Sequence, residues 1–225
     1  DKNEEKILDQ MLDIQTFSYQ DVQTGRNYFR LDIKPNTKTQ ELKTLPKDIL
    51  FLIDSSRSIS VFKLREFVRG VHQAIYKLNP QDRFNVVTFK TENKLCFNDF
   101  QSVTPENLER ADTFLKKIKR SGKTDIYAAL KPFVVNQKRE GKRPKIIFIA
   151  SDGETTTRKG LKPAELIAKI SQENSADISI STFSCGSDIN SFVINFLAYK
   201  NRGYHRMLKK AKGAHQNFDQ YIQKI

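Results

Sequence analysis

From residue 48 onward, short apolar runs alternate with stretches whose apolar residues recur at helical spacing. Residues 49–53 form an unbroken apolar run of strand length that stops at Asp54. Leu64, Phe67, Val68, Val71, Ile75 and Leu78 then share one face of a helix expected over 62–78, which Asn79-Pro80 ends. Residues 84–89 make the next strand, and 95–97 a short partner strand beyond a polar turn. Thr104-Pro105-Glu106 opens a helix reaching about 118, with proline at its first helical position. A helix over 125–135 leads into a second fully apolar strand, 145–150. Helix 163–173, strand 178–183, helix 189–200, strand 204–208 and helix 215–225 complete the series.

This rhythm predicts an α/β fold of the doubly wound, Rossmann-like kind, with a mostly parallel sheet and helices on both faces. Runs 49–53 and 145–150, apolar on both faces, belong at its centre. Ligands of such sheets bind at the carboxyl ends of the strands, where Asp54 and Ser151-Asp152 stand. The first 47 residues differ. A helix is expected over 1–12, a half-exposed strand over 27–33 and a loop over 37–46. They are too few for a core of their own and are expected to form an extension packed on the main domain. The expected division is therefore an extension over 1–47, the main domain over 48–212 and a C-terminal helix over 213–225.

Composition narrows the partners only a little. There are 39 Lys and Arg against 26 Asp and Glu, a formal net charge of +13, which favours acidic partners of any class. The densest basic runs, 116–120, 138–145 and 209–212, hold no interleaved aromatic residues for base stacking, so no nucleic acid is expected and a lysine-rich solvated surface is the plainer reading. Cys96 and Cys185 lack metal or redox spacing, and each is expected to be a buried free thiol. No apolar run is long enough to cross a bilayer, and no signal-peptide core stands at the N-terminus. The chain starts at Asp1 rather than Met, so an excised fragment is expected and the compartment stays open.

Asp54-Ser55-Ser56-Arg57-Ser58 places a carboxylate and two hydroxyls at alternate positions of a turn directly after a buried strand. Thr124 adds a hydroxyl before a helix, and Asp152 a second carboxylate at the end of the other central strand. Two carboxylates with neutral oxygens suit a hard cation such as Mg²⁺, with Mn²⁺ or Ca²⁺ as alternatives, and not zinc or copper. The competing reading is local: Asp54 and Ser56 as helix caps, Thr124 and Asp125 likewise, and Ser151-Asp152-Gly153 as an ordinary turn. His72, His205 and His215 have no metal-ligand spacing, no Ser-His-Asp set can be assembled, and Ser121-Gly122-Lys123-Thr124 lacks the leading glycine of a phosphate loop.

DILFLIDSSRSIS (48–60), GKTDIYAAL (122–130) and IIFIASDGE (146–154), in this order and on these elements, resemble the three loops of the metal-ion-dependent adhesion site of von Willebrand factor A domains. The resemblance covers roughly 48–210, and Pro80-Gln81-Asp82-Arg83-Phe84 after the first helix is similar to inter-alpha-trypsin-inhibitor-like and bacterial surface A domains. It implies one antiparallel edge strand, matched to 95–97, and the ligands Asp54, Ser56, Ser58, Thr124 and Asp152. Arg57, Ser151 and Lys123 depart from the residues frequent in the family, and Arg57 and Lys123 give the rim positive charge. The implied function is a non-enzymatic adhesion-type module whose cation captures an exposed Asp or Glu of a protein partner, in an extracellular or cell-surface setting. The alternative is a subunit of an intracellular assembly working with an ATPase. An enzyme using the metal hydrolytically would lack a base.

Overall fold

The computed structural model describes residues 12–36, 45–137, 143–155 and 161–222. The chain divides into two compact units, Asp1–Leu45 and Pro46–Ile225.

In the first unit, β1 (Leu12–Gln20) and β2 (Asn27–Pro35) form an antiparallel ribbon in register from Leu12 opposite Pro35 to Gln20 opposite Asn27. The Asp21 carboxylate closes the turn by accepting from the Gln23 and Thr24 amides. Phe17, Tyr19, Tyr28, Phe29, Leu31 and Ile33 are exposed. The strand over 27–33 is thus present and longer, while β1 was not anticipated. The helix expected over 1–12 lies outside the described residues except for Leu12, which opens β1. Most of the loop expected over 37–46 lies outside them too.

The second unit is built on a seven-stranded sheet. Its strands are β3 (Asp48–Asp54), β4 (Arg83–Phe89), β5 (Asn93–Leu95), β6 (Gln101–Ser102), β7 (Lys145–Ala150), β8 (Ser179–Cys185) and β9 (His205–Leu208). The order is β5-β4-β3-β7-β8-β9, with β6 also on β4. Pairs β3–β4, β3–β7, β7–β8 and β8–β9 are parallel, and β5 and β6 are antiparallel to β4. Every residue of β3 is buried, which fits its apolar run and its central place.

The antiparallel edge strand ends at Leu95 and does not span 95–97, because the Asn85 side chain takes over the pairing there. Its amide donates to the Phe97 carbonyl at 2.8 Å and its Oδ1 accepts from the Phe97 amide at 3.2 Å.

Helices α1 (Val61–Ile75), α2 (Pro105–Lys116) and α6 (Ala214–Ile222) cover one face. Helices α3 (Ile126–Val134), α4 (Pro163–Glu173) and α5 (Ser191–Lys200) cover the other. The first layer is aromatic: Phe148 meets Phe218 and Tyr221 edge-on at 4.9 and 5.2 Å, and Phe183 meets Phe218 at 4.9 Å. Gly70 of α1 leaves room for Phe218, since a Cβ there would lie 2.7 Å from its ring. The second layer is mostly aliphatic, with Leu52, Leu130, Ile149, Ile170 and Leu197 fully or almost fully buried.

At the amino end of the sheet, the Asp82 carboxylate accepts from the Lys47 and Asn79 amides. Arg83 grips Asp48 with two nitrogens, at 2.8 and 2.6 Å. The 80–84 motif therefore fastens β3 to β4 at the end of the sheet opposite Asp54 and Asp152. Both cysteines are free; Cys185 is buried as expected, whereas Cys96 is only half-buried. Burial pushes the thiols up, to about 12 for Cys185 and about 11 for Cys96, so neither is a ready nucleophile. No helix among the described residues is long and apolar enough to cross a membrane.

Candidate metal centre

Three loops at the carboxyl end of the sheet bring the five anticipated oxygen-bearing side chains together. Asp54 ends β3, Ser56 and Ser58 follow it in the turn before α1, Thr124 precedes α3, and Asp152 follows β7. Backbone bonds hold two of the loops to each other: the Ser121 amide donates to the Ser55 carbonyl at 2.9 Å, and the Arg57 amide to the Gly122 carbonyl at 3.2 Å. The Arg120 guanidinium adds a bond to the Arg57 carbonyl at 2.8 Å. The third loop joins when the Ser151 hydroxyl donates to Asp54 Oδ2 at 2.7 Å.

Within this frame the oxygens form one contiguous cluster. The Ser56 amide donates to Asp54 Oδ1 at 2.9 Å, and the Ser56 and Ser58 hydroxyls are 2.9 Å apart. The Ser58 and Thr124 hydroxyls are 3.4 Å apart. Ser58 also acts on Asp152, whose Oδ1 accepts from the Glu154 amide at 3.1 Å. Asp54, Ser56, Thr124 and Asp152 are buried, and Ser58 is exposed.

The local reading of these residues as caps holds for Asp125 but fails for Asp54, Ser56 and Thr124. Helix α1 is capped by Ser60, which accepts from the Lys63 amide, and α3 by Asp125, which accepts from the Ala128 amide. Asp54, Ser56, Ser58 and Thr124 are left with no capping task. Nor is Ser151-Asp152-Gly153 an arbitrary turn. Gly153 has φ +76°, and a Cβ on it would fall 2.5 Å from Ile194 and 2.7 Å from the Asn190 carbonyl. Only glycine lets the third loop pass beneath α5 at that point.

Burial pushes the Asp54 carboxyl up to about 6, against the lowering hydrogen bonds of Ser151 and Ser56, and the Asp152 charge adds to the rise. Asp152 is raised too, chiefly by burial, with Lys63 as its cationic neighbour. Two buried carboxylates beside three hydroxyls make an all-oxygen donor set that suits a hard divalent cation. Among the described residues no group of three or more His, Cys, Asp or Glu is placed to hold a metal ion, so any cation here would rest on two carboxylates and neutral hydroxyls.

Arg57 and Lys123 are both exposed, on the two loops joined by the Arg57–Gly122 bond. Two contributors were not anticipated. Ser151 links the first and third loops. Lys63, buried on α1, donates to the Ser187 carbonyl and bears on Asp152. The signal for Lys63 was its place on the core-facing stripe with Phe67 and Gly70, where a charged residue needs a partner. Ser151 stands at the binding end of a central strand in the sequence, but nothing there marks it as the link between two loops.

Comparison with known proteins adds sequence and fold relationships. The von Willebrand factor type A domain family matches residues 47–207. The chain is 29% identical over 171 residues to inter-alpha-trypsin inhibitor heavy chain H2 of Mesocricetus auratus, a match covering 73% of this chain and 18% of that protein. Among solved structures, it is similar to a von Willebrand factor type A protein from Catenulispora acidiphila, with TM-score 0.69, 14% identity, and coverage of 86% of this chain and 44% of that one. It is also similar to proximal thread matrix protein 1 of the mussel byssus with a zinc-occupied metal-ion-dependent adhesion site, with TM-score 0.58, 15% identity, and coverage of 80% and 45%.

Proposed function

The chain belongs to the von Willebrand factor type A family, and on that premise we propose that it is a non-enzymatic protein-binding module of the adhesion type. Asp54, Ser56, Ser58, Thr124 and Asp152 would hold a divalent cation, Mg²⁺ or else Mn²⁺ or Ca²⁺. The ion would supply an electrophilic position for the carboxylate of an Asp or Glu on a protein partner. Arg57 and Lys123 on the rim would draw an acidic partner in and speed its arrival more than they tighten it.

The observation that carries this reading is the division of labour in the loops. Ser60 and Asp125 do the capping, so the cluster of hydroxyls and two carboxylates is left without a local structural explanation. The family relationship supports it, and so does the occupied site named for the mussel protein. A non-enzymatic role is supported by the histidines, whose partners all lie outside the cluster: His72 meets Asp112, His205 meets Thr182 and His215 meets Glu66. The chain spans 18% of the length of the heavy chain it matches, so the whole protein's partners do not transfer to it directly.

The test is titration of Mg²⁺ or Mn²⁺ into chelator-treated protein, read by thermal shift and by retention of an acidic peptide. Wild type should gain about 2.7 kcal/mol at a cation concentration of about 100 Kd, and Asp152→Ala should gain nothing. A wild type that melts at the same temperature with and without cation would overturn the metal reading. Cation uptake with no preference for an Asp-containing peptide over its Ala counterpart would overturn the capture reading alone.

A further inference from the structure

Most of the basic run 116–120 borders a single concavity: Lys117 and Lys119, both exposed, and the half-buried Arg120 line it. Where α2 ends, the chain and the carboxyl end of β4 line a half-open cavity of about 460 Å³, inside the roughly 300–1,000 Å³ range of small-ligand sites. Its lining includes five cationic side chains, Lys90, Lys94, Lys117, Lys119 and Arg120, against one carboxylate, Glu92. Like charges gathered around one concavity repel each other and concentrate a positive field inside it.

Arg120 carries the second observation. One of its terminal nitrogens is committed to the Arg57 carbonyl, yet its Nε is fully buried and has no hydrogen-bond partner. Buried donors are normally paired, so this one marks an unsatisfied cationic group in the wall of the cavity. The cavity also has an apolar flank in Phe114 and Ile118, and the Lys94 ammonium lies 6.0 Å from the Phe114 ring centroid.

We propose that this cavity binds a tetrahedral oxyanion, a phosphate or sulfate group, as the free ion or as a monoester whose aromatic body rests on Phe114. A single carboxylate would leave most of the local charge uncompensated. A phosphoryl group brings about −1.5 to −2 and three strong acceptors, and the planar guanidinium fork suits such oxygens. The cavity touches the oxygen cluster at Ser55, which lines it and stands between Asp54 and Ser56. It uses none of the five proposed ligands and does not depend on the cation reading.

The full chain is titrated by calorimetry with inorganic phosphate, inorganic sulfate and phenyl phosphate, in EDTA and at fixed ionic strength. Wild type is expected to bind at least one of them saturably at one site. The double variant Lys117→Ala/Lys119→Ala, two exposed positions, should bind roughly tenfold more weakly as the focused field falls. Arg120→Lys, which keeps the charge and loses the planar guanidinium fork, should also weaken binding. Tighter binding of phenyl phosphate than of phosphate identifies a monoester as the ligand, and equal binding identifies the free ion. No saturable binding to folded wild type, or unchanged affinity in both the double variant and Arg120→Lys, overturns the proposal. Because EDTA removes any cation, either result leaves the metal reading to its own test.

Discussion

The two helical layers flank the same sheet but are built differently. The layer of α3, α4 and α5 buries almost only aliphatic side chains. The layer of α1, α2 and α6 buries interlocked phenylalanines and, with them, the carboxyl group of Glu66. Glu66 of α1, 2% exposed, accepts from both the backbone amide and Nδ1 of His215 in the first turn of α6, the latter at 2.8 Å. That carboxylate serves a helix N-terminus from another helix, the end at which negative charge is favoured. Both layers add directional bonds to buried area. In the aliphatic layer these run from Tyr127 to Glu173 and from Asn174 to Asn201, at the helix ends. In the aromatic layer the Glu66–His215 bond fixes where its last helix docks.

The largest expected effect comes from the aromatic layer. Phe148→Ala should cost about 3–5 kcal/mol in urea unfolding, since Phe148 touches Phe51, Phe218 and Tyr221 at once. Leu130→Ala, in the aliphatic layer, should cost ~2–5 kcal/mol and leave the position of α6 unchanged by hydrogen exchange. If Leu130→Ala loosened α6 as much as Phe148→Ala does, the layers would not be distinct.

Glu66→Gln should cost roughly 1–3 kcal/mol, with amide protection lost selectively in α6. The same pair makes the layers differ in pH response. Burial alone would raise the Glu66 carboxyl, but the His215 hydrogen bonds and the charges of His215 and Arg69 outweigh it and hold it below the usual range. A folded pKa below the unfolded one means stability that is present above the unfolded value and is lost as pH falls through the folded one. The gap in urea midpoint between wild type and Glu66→Gln should therefore close below about pH 4.5. A gap that persists at pH 2.5 would show that the carboxylate charge plays no part.

The smallest effects separate caps from candidate ligands. Ser60→Ala should cost about 1 kcal/mol and leave cation uptake intact. Ser58→Ala, at an exposed position two residues away, should weaken uptake with little change in stability. The opposite pattern would return Ser58 to the capping role.

Most of this architecture was legible because long apolar runs and helical stripes have few alternative uses. The candidate site was legible because two strand ends and one loop before a helix carried oxygens that fit together. What escaped had a physical reason. In β1, apolar residues lie on both faces, with Ile14 on one and Phe17 and Tyr19 on the other, so no clean alternation marks it. Strand β6 is two residues long and leaves no period. The edge strand was misplaced because the Asn85 side chain imitates a backbone partner, and pairing of that kind is not encoded in hydropathy. The cationic cavity was visible only as a lysine run, since Lys90 and Lys94 join residues 117–120 through the fold.

The bond from Ser151 to Asp54 spans 97 positions of the chain. Its two ends cannot meet until β3 and β7 lie side by side, and pairings so distant in sequence form late because the entropy of closing the intervening chain is spent first. A nascent or half-refolded molecule therefore has no such cluster, and a cation held by it would report that folding is complete. Mg²⁺ should then lengthen the lifetime of the native state without hastening its arrival. On a chevron plot it would shift the unfolding arm and leave the refolding arm where it was.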